Sequence, residues 1–237
     1  MKVTRRHRSQ RGVTLLELII AISLVAIISA GMLTAMRTGL LTNEKVAARL
    51  ESNREVINLR QMLVRQIGGA MPAMILCAGP EGGGDAALFA GTPRRFHFVS
   101  NFSFAEGARG YPQVVDYAIA PSPGGGFRLV VTEIPYTGPG SAGAFCPGQG
   151  SVVAPEGALI TVAADHLARA EFSYQQNVQF VPFGDVMWVE EWNRPAFPIA
   201  VKISMASAEN AGALLPAMDL TVRLRTDRDF RGIIADR

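Results

Sequence analysis

The sequence predicts an α+β fold in which one long N-terminal helix packs on an antiparallel β-sheet domain. Three observations carry that expectation. Residues 13–36 are apolar or small at all but five positions. Residues 37–67 contain no proline and a single glycine, with apolar residues near helical spacing. Beyond residue 68 glycine and proline rise, and short runs of alternating polarity replace the helical pattern. A helix followed by a series of strands is the order of an α+β chain.

The elements follow from the N-terminus. Residues 1–12, MKVTRRHRSQRG, form a basic leader with Lys2, Arg5, Arg6, Arg8 and Arg11 and no acid. Residues 13–36 would make a helix about 36 Å long, enough to cross a hydrocarbon core of about 30 Å. A basic flank stays in the cytoplasm, so the N-terminus is expected inside and the bulk of the chain outside. An ordinary secretory signal fits less well, because its apolar stretch spans only about 7–15 residues and ends at an A-x-A-like site. Residues 37–67 continue the helix as its amphipathic half. Val46, Leu50, Ile57 and Val64 recur near helical spacing, flanked by Val56, Leu63 and Ile67, and this half is expected to pack on the globular domain although Arg49 and Arg60 interrupt the apolar face. Gly68-Gly69 and then Pro72 end it.

Residues 68–237 read as a β-rich globular domain. Phe96 and Phe98 alternate with Arg95 and His97, and residues 127–132 are rich in strand formers. Ala170, Phe172 and Tyr174 oppose Arg169, Glu171 and Ser173. Ile199, Val201, Ile203 and Met205 oppose Ala200, Lys202 and Ser204, and Leu220, Val222 and Leu224 oppose Thr221, Arg223 and Arg225. Period-two runs with one polar face suit an antiparallel sheet covered on one side by the helix.

Charge narrows the function classes. The intact chain is formally +3, but residues 1–12 hold five of its 23 basic residues and none of its 20 acidic ones, so the remainder is −2. With the leader goes most of the composition-level case for nucleic acid, which needs clustered Lys and Arg on a face, and no nucleic-acid partner is expected.

Glu17 is the feature a plain membrane anchor does not explain. A carboxylate in a membrane helix costs about 2.5–3.5 kcal/mol near the bilayer centre and less near its edge, and by default marks a function. A short basic leader ending in Gly12, followed by Val13, Thr14, Leu15, Leu16, Glu17 and Leu18, resembles the class 3 signal of type IV pilin-like proteins. Val13 stands where that family most often has Phe or Met. The resemblance implies cleavage by a prepilin peptidase between Gly12 and Val13, N-methylation of Val13, and a role for Glu17 in assembly. In that role Glu17 would pair with the amino terminus of a neighbouring subunit.

A second likeness lies near the C-terminus. Glu171-Phe172-Ser173-Tyr174, then Trp188 and Trp192, then residues 198–203 (PIAVKI) resemble the end of J-type minor pseudopilins of type II secretion systems, with their Phe-x-Tyr strand, tryptophan-bearing connection and Pro-x-x-Val strand. It implies a structural subunit of the pseudopilus tip in the bacterial inner membrane. Its partners would be I-type and K-type minor pseudopilins and the major pseudopilin. Minor pilins of type IV pili are similar enough to stand as the alternative. A membrane-anchored extracytoplasmic enzyme or ligand-binding module is the rival of another class.

Little else in the sequence signals chemistry. His97 and His166 lack ligand spacing, no G-x-S-x-G elbow or phosphate-binding loop is present, and no cofactor, metal or catalytic residue is expected. Gly82-Gly83-Gly84 and Gly124-Gly125-Gly126 read as turns. Glu81 and Asp85 are too few for a calcium site of six to eight oxygens, and read as a solvated loop. Trp188 and Trp192, with Phe180, Phe183 and Phe197, are expected to close the end of the sheet as core rather than form a binding patch. Cys77 and Cys146, both outside the cytoplasm in this topology, favour a disulfide, with two unpaired thiols as the alternative.

Overall fold

The computed structural model describes residues 14–77, 84–146, 157–176, 187–194, 196–207 and 217–224. The chain divides into two compact units, Met1–Glu51 and Ser52–Arg237. A single helix, α1 (Leu15–Gly68), contributes to both. In the first unit every side chain described is exposed, and Leu15–Asn43 has the length and mean hydropathy, 2.5, of a membrane span.

In the second unit the strands follow α1 as the period-two patterns predict, giving an α+β arrangement. They are β1 (Ala70–Met71), β2 (Met74–Cys77), β3 (Gly84–Ala87), β4 (Ala90–Thr92), β5 (Arg95–Ser103) and β6 (Ala108–Pro121). After them come β7 (Phe127–Pro135), β8 (Leu159–Gln176), β9 (Met187–Val189), β10 (Ala200–Ser207) and β11 (Met218–Arg223). The main sheet runs β1-β5-β6-β7-β8-β10-β11, with β4 on β5 and β9 on β8, and β2 and β3 pair separately; every pairing is antiparallel. The turn from β6 to β7 is the second glycine run. Gly125 and Gly126 have φ of 93° and 74°, and a Cβ on Gly126 would lie 2.5 Å from the Leu167 carbonyl oxygen, so both the backbone angle and the close approach call for glycine there.

The core lies between the end of α1 and one face of the sheet. Leu59, Leu63 and Ile67 are buried with Phe96, Phe98, Tyr117, Phe172, Tyr174, Val201 and Leu220. Phe96 sits at its centre, stacked on Tyr117 at 4.9 Å and edge-on to Phe172 at 4.7 Å. Such pairs contribute about 0.5–1.5 kcal/mol each beyond their buried area.

Two expectations need correction. The stripe Val46, Leu50, Ile57 and Val64 is not buried: these residues are 48, 53, 53 and 41% exposed, the first two within the first unit and the last two within the second. Within the second unit Leu59, Leu63, Gln66 and Ile67 are buried instead, so the described side chains of that unit's helix that pack on the sheet come from its last turns. Helical spacing finds apolar faces but does not say which of two faces meets the domain. The far side of the sheet is also not uniformly polar. Val99, Val114 and Ile134 point there and form a second small core with Ile75, Leu88, Ala142 and Phe145 from the β2–β3 hairpin and a 3-10 turn, Pro139–Phe145. A disulfide joins Cys77 of β2 to Cys146 after the turn, with Cα atoms 5.6 Å apart across 69 residues of chain. Closing so long a loop contributes on the order of 4 kcal/mol in the chain-entropy model.

Candidate functional site

Gly12 and Val13 lie outside the described residues. The first feature of the described chain is the cap of α1. The Thr14 hydroxyl accepts from the Glu17 N–H at 3.3 Å, and the Thr14 carbonyl from the Leu18 N–H at 3.2 Å. Thr14-x-x-Glu17 has capping-box spacing, and a carboxylate in the first turn of a helix gains about 0.3–1 kcal/mol from the macrodipole. The cap bond shown uses the Glu17 backbone N–H, so the local gain of its side chain is that of the macrodipole alone. Its side chain is exposed, and its carboxylate has no partner among the described residues.

Four hydroxyls of this segment are satisfied within the helix. Ser23 donates to the Ile19 carbonyl at 2.8 Å, Thr34 to Gly31 at 2.8 Å, Thr38 to Thr34 at 3.0 Å and Thr42 to Thr38 at 2.8 Å. Back-bonding of this kind makes a polar side chain tolerable in hydrocarbon. Glu17 has no equivalent route, since its carboxylate can only accept.

The other polar centre holds the end of α1 to the sheet. Gln66, Tyr117 and Glu133 are almost fully buried. The Tyr117 hydroxyl donates to Gln66 Oε1 at 2.5 Å, and Gln66 Nε2 donates to Glu133 Oε1 at 2.7 Å and to the Phe102 carbonyl at 3.0 Å. Glu133 also accepts from the N–H groups of Phe104 at 2.6 Å and Ala105 at 2.8 Å, and from the Ser103 hydroxyl at 3.2 Å. Four donors on one carboxylate offset its desolvation. Burial, and then the Glu133 charge, push the Tyr117 hydroxyl well above its usual range, so it stays a donor. Sequence reasoning missed this network. Its only signal was Gln66 lodged between Leu63 and Ile67 on the buried face.

Residues 7–33 match the prokaryotic N-terminal methylation motif. The motif marks a type IV pilin-like protein. It implies processing by a prepilin peptidase and pilus-like assembly with other pilins, and with the apolar helix it fits membrane anchoring. No curated protein matches the chain.

The remaining sequence candidates are dispersed. His97 is half-buried with its ring 5.3 Å from Phe145; burial, and then the Arg95 charge, lower its pKa to about 4. His166 is exposed, in a left-handed conformation with φ of 54°, against Gly124. No group of three or more metal-ligating side chains forms among the described residues. Trp192 is buried in the main core, its indole N–H donating to the Ala196 carbonyl at 2.8 Å, and Phe197 packs against the same core through Phe89. Trp188 is half-buried under Lys202, whose ammonium lies 5.1 Å from the ring. Phe180, Phe183, Glu81, Gly82 and Gly83 lie outside the described residues.

Proposed function

We propose that this chain is a minor pseudopilin of the J type, a structural subunit of the tip or initiating complex of a type II secretion pseudopilus, without catalytic activity. The observation that carries the reading is the way the C-terminal signature comes together. Phe172 and Tyr174 of β8 lie in register with Ile203 and Val201 of β10, and Tyr174 also pairs with Val189 of β9. The Tyr174 hydroxyl donates to the Thr92 carbonyl at 2.9 Å, and Gly91 of the same short strand bridges to Trp192. The Phe-x-Tyr, tryptophan and Pro-x-x-Val segments are therefore one packed corner. Gly91 belongs to it, because a side chain there would collide with the Tyr174 hydroxyl. That a separated set of residues forms one unit supports a shared architecture rather than a chance likeness.

In this reading the basic residues before Gly12 keep the N-terminus cytoplasmic, α1 anchors the chain in the inner membrane, and the domain lies in the periplasm. The exposed stripe Val46, Leu50 and Ile57 is left for the stem helices of I-type and K-type minor pseudopilins and of the major pseudopilin. Affinity purification of the tagged, membrane-extracted chain tests it. The reading expects two further minor pseudopilins in the eluate; recovery with type IV pilus subunits, or alone, overturns it.

A further inference from the structure

The last turn of α1 and the outer strand β11 border a cleft of about 820 Å³. Val64, Phe102 and Val222 give it an apolar lining, and Arg65, Arg109 and Arg223 surround it with charge. All three arginines are exposed, none is ion-paired with a described residue, and no acidic side chain lines the cleft. The carbonyl end of a helix carries about half a negative charge, and here it is partly covered: Gly69 N–H donates to the Arg65 carbonyl at 3.0 Å and the Ser100 hydroxyl to that of Gln66 at 2.8 Å. The cleft is positive on balance.

Its wall is also an open sheet edge. The Leu224 N–H donates to the Ile199 carbonyl at 2.9 Å, and Val222 and Leu220 are in register with Val201 and Ile203. Because bonding alternates along an antiparallel strand, Leu220, Val222 and Leu224 address β10, while Thr221 and Arg223 turn their N–H and C=O groups away from it. Among the described residues no strand pairs with that side. The two residues with open backbone groups are thus residues of the cleft. An edge of this kind is a template for an added strand.

We propose that this cleft receives an extended acidic segment of another protein, added as a strand to β11. Its backbone would bond to Thr221 and Arg223, and its carboxylates would meet Arg65, Arg109 and Arg223. Alternate side chains of a strand share a face, so acidic residues at every second position would reach the arginines while apolar ones between them cover Val64, Phe102 and Val222. The chain's own continuation is a poor occupant by charge, since residues 225–237 hold four arginines against three aspartates.

The test uses the full-length protein in detergent and fluorescence anisotropy of a labelled octapeptide of alternating Glu and Val. Saturable binding is expected, at least tenfold weaker in the triple variant Arg65→Ala, Arg109→Ala, Arg223→Ala, and undetectable for the Lys and Val counterpart. N-methylation of alternate peptide amides should abolish binding in one register and spare it in the other. Thr221→Pro removes an N–H from the open edge without touching the β10 ladder, and should also weaken binding at least tenfold; retention of the Cys77–Cys146 disulfide and of the far-ultraviolet spectrum shows that each variant is folded. Absence of binding, equal binding by the triple variant, or equal binding by the lysine peptide overturns the proposal. So does indifference to N-methylation in both registers together with full displacement by inorganic phosphate, which would make the arginines a general anion site.

Discussion

Glu17 and Glu133 meet the same physics in opposite surroundings. Glu133 is buried and takes four donors, so its charge is matched in place. Glu133→Gln would turn an amide N–H toward groups that themselves donate, leaving buried donors unpaired. A loss of about 3 kcal/mol is expected in urea unfolding, against about 1 kcal/mol for Tyr117→Phe, which removes a single neutral bond. Glu17 is exposed in the first turn of an apolar helix, with no partner for its carboxylate among the described residues. Two roles compete for it, and Glu17→Gln separates them. A local role at the helix start is worth only about 0.3–1 kcal/mol, so if that is the role this variant assembles as wild type. If the charge pairs with the methylated amino terminus of a neighbouring subunit, both Glu17→Gln and Glu17→Ala insert and are cleaved at Gly12 but lose stem-helix crosslinks. We expect the second result; normal crosslinking of Glu17→Gln at matched expression would leave Glu17 only that local role.

At the scale of elements, what was legible in the sequence was whatever repeats. The apolar run, the proline-free helix ended by Gly68-Gly69, and the alternating strands around Phe96, Phe172, Val201 and Val222 all carry a period that burial imposes. What was not legible depends on partners distant in sequence. Gln66 and Glu133 stand 67 residues apart, and neither forms part of a motif. The second core was hidden for a similar reason: in β5 and β6 adjacent residues such as Phe98 and Val99 are both buried, because both faces of the sheet are covered there, and the period-two signal fades. The choice between the two apolar faces of α1 can now be tested. Leu63→Ala should cost about 2–5 kcal/mol of domain stability, as for any large side chain deleted from a core. Ile57→Asp, on the exposed face, should change stability by less than about 0.5 kcal/mol yet reduce copurification of the proposed partners. The reverse pattern would put the domain on the Ile57 face.

For the whole molecule, the leader dominates the charge and the domain sets the response to pH. Removal of residues 1–12 takes the formal charge from +3 to −2, so the apparent basicity belongs to the segment that the prepilin peptidase would discard. Acid acts on the domain mainly where the strands bury titratable groups. His97, half-buried against Phe145 with Arg95 beside it, has its pKa lowered from 6.5 to about 4. In the unfolded chain it takes up a proton near pH 6.5, whereas in the folded domain it does so only near pH 4. The stability this contributes is complete above 6.5 and is lost as pH falls through the window between the two values, about 2–3 kcal/mol by pH 4.5. Asp116, opposite His97 in the sheet, works in the other direction: burial raises its pKa, and the Arg95 guanidinium at 2.7 Å only partly opposes that. As pH falls the folded state therefore takes up the Asp116 proton before the unfolded state does, which returns part of what His97 loses. His97→Gln removes one side of this opposition. Urea unfolding of wild type and variant at pH 7 and pH 4.5 should show a smaller acid-induced loss in the variant. A larger loss would mean that the His97 ring takes up its proton more readily in the folded domain than in the unfolded chain.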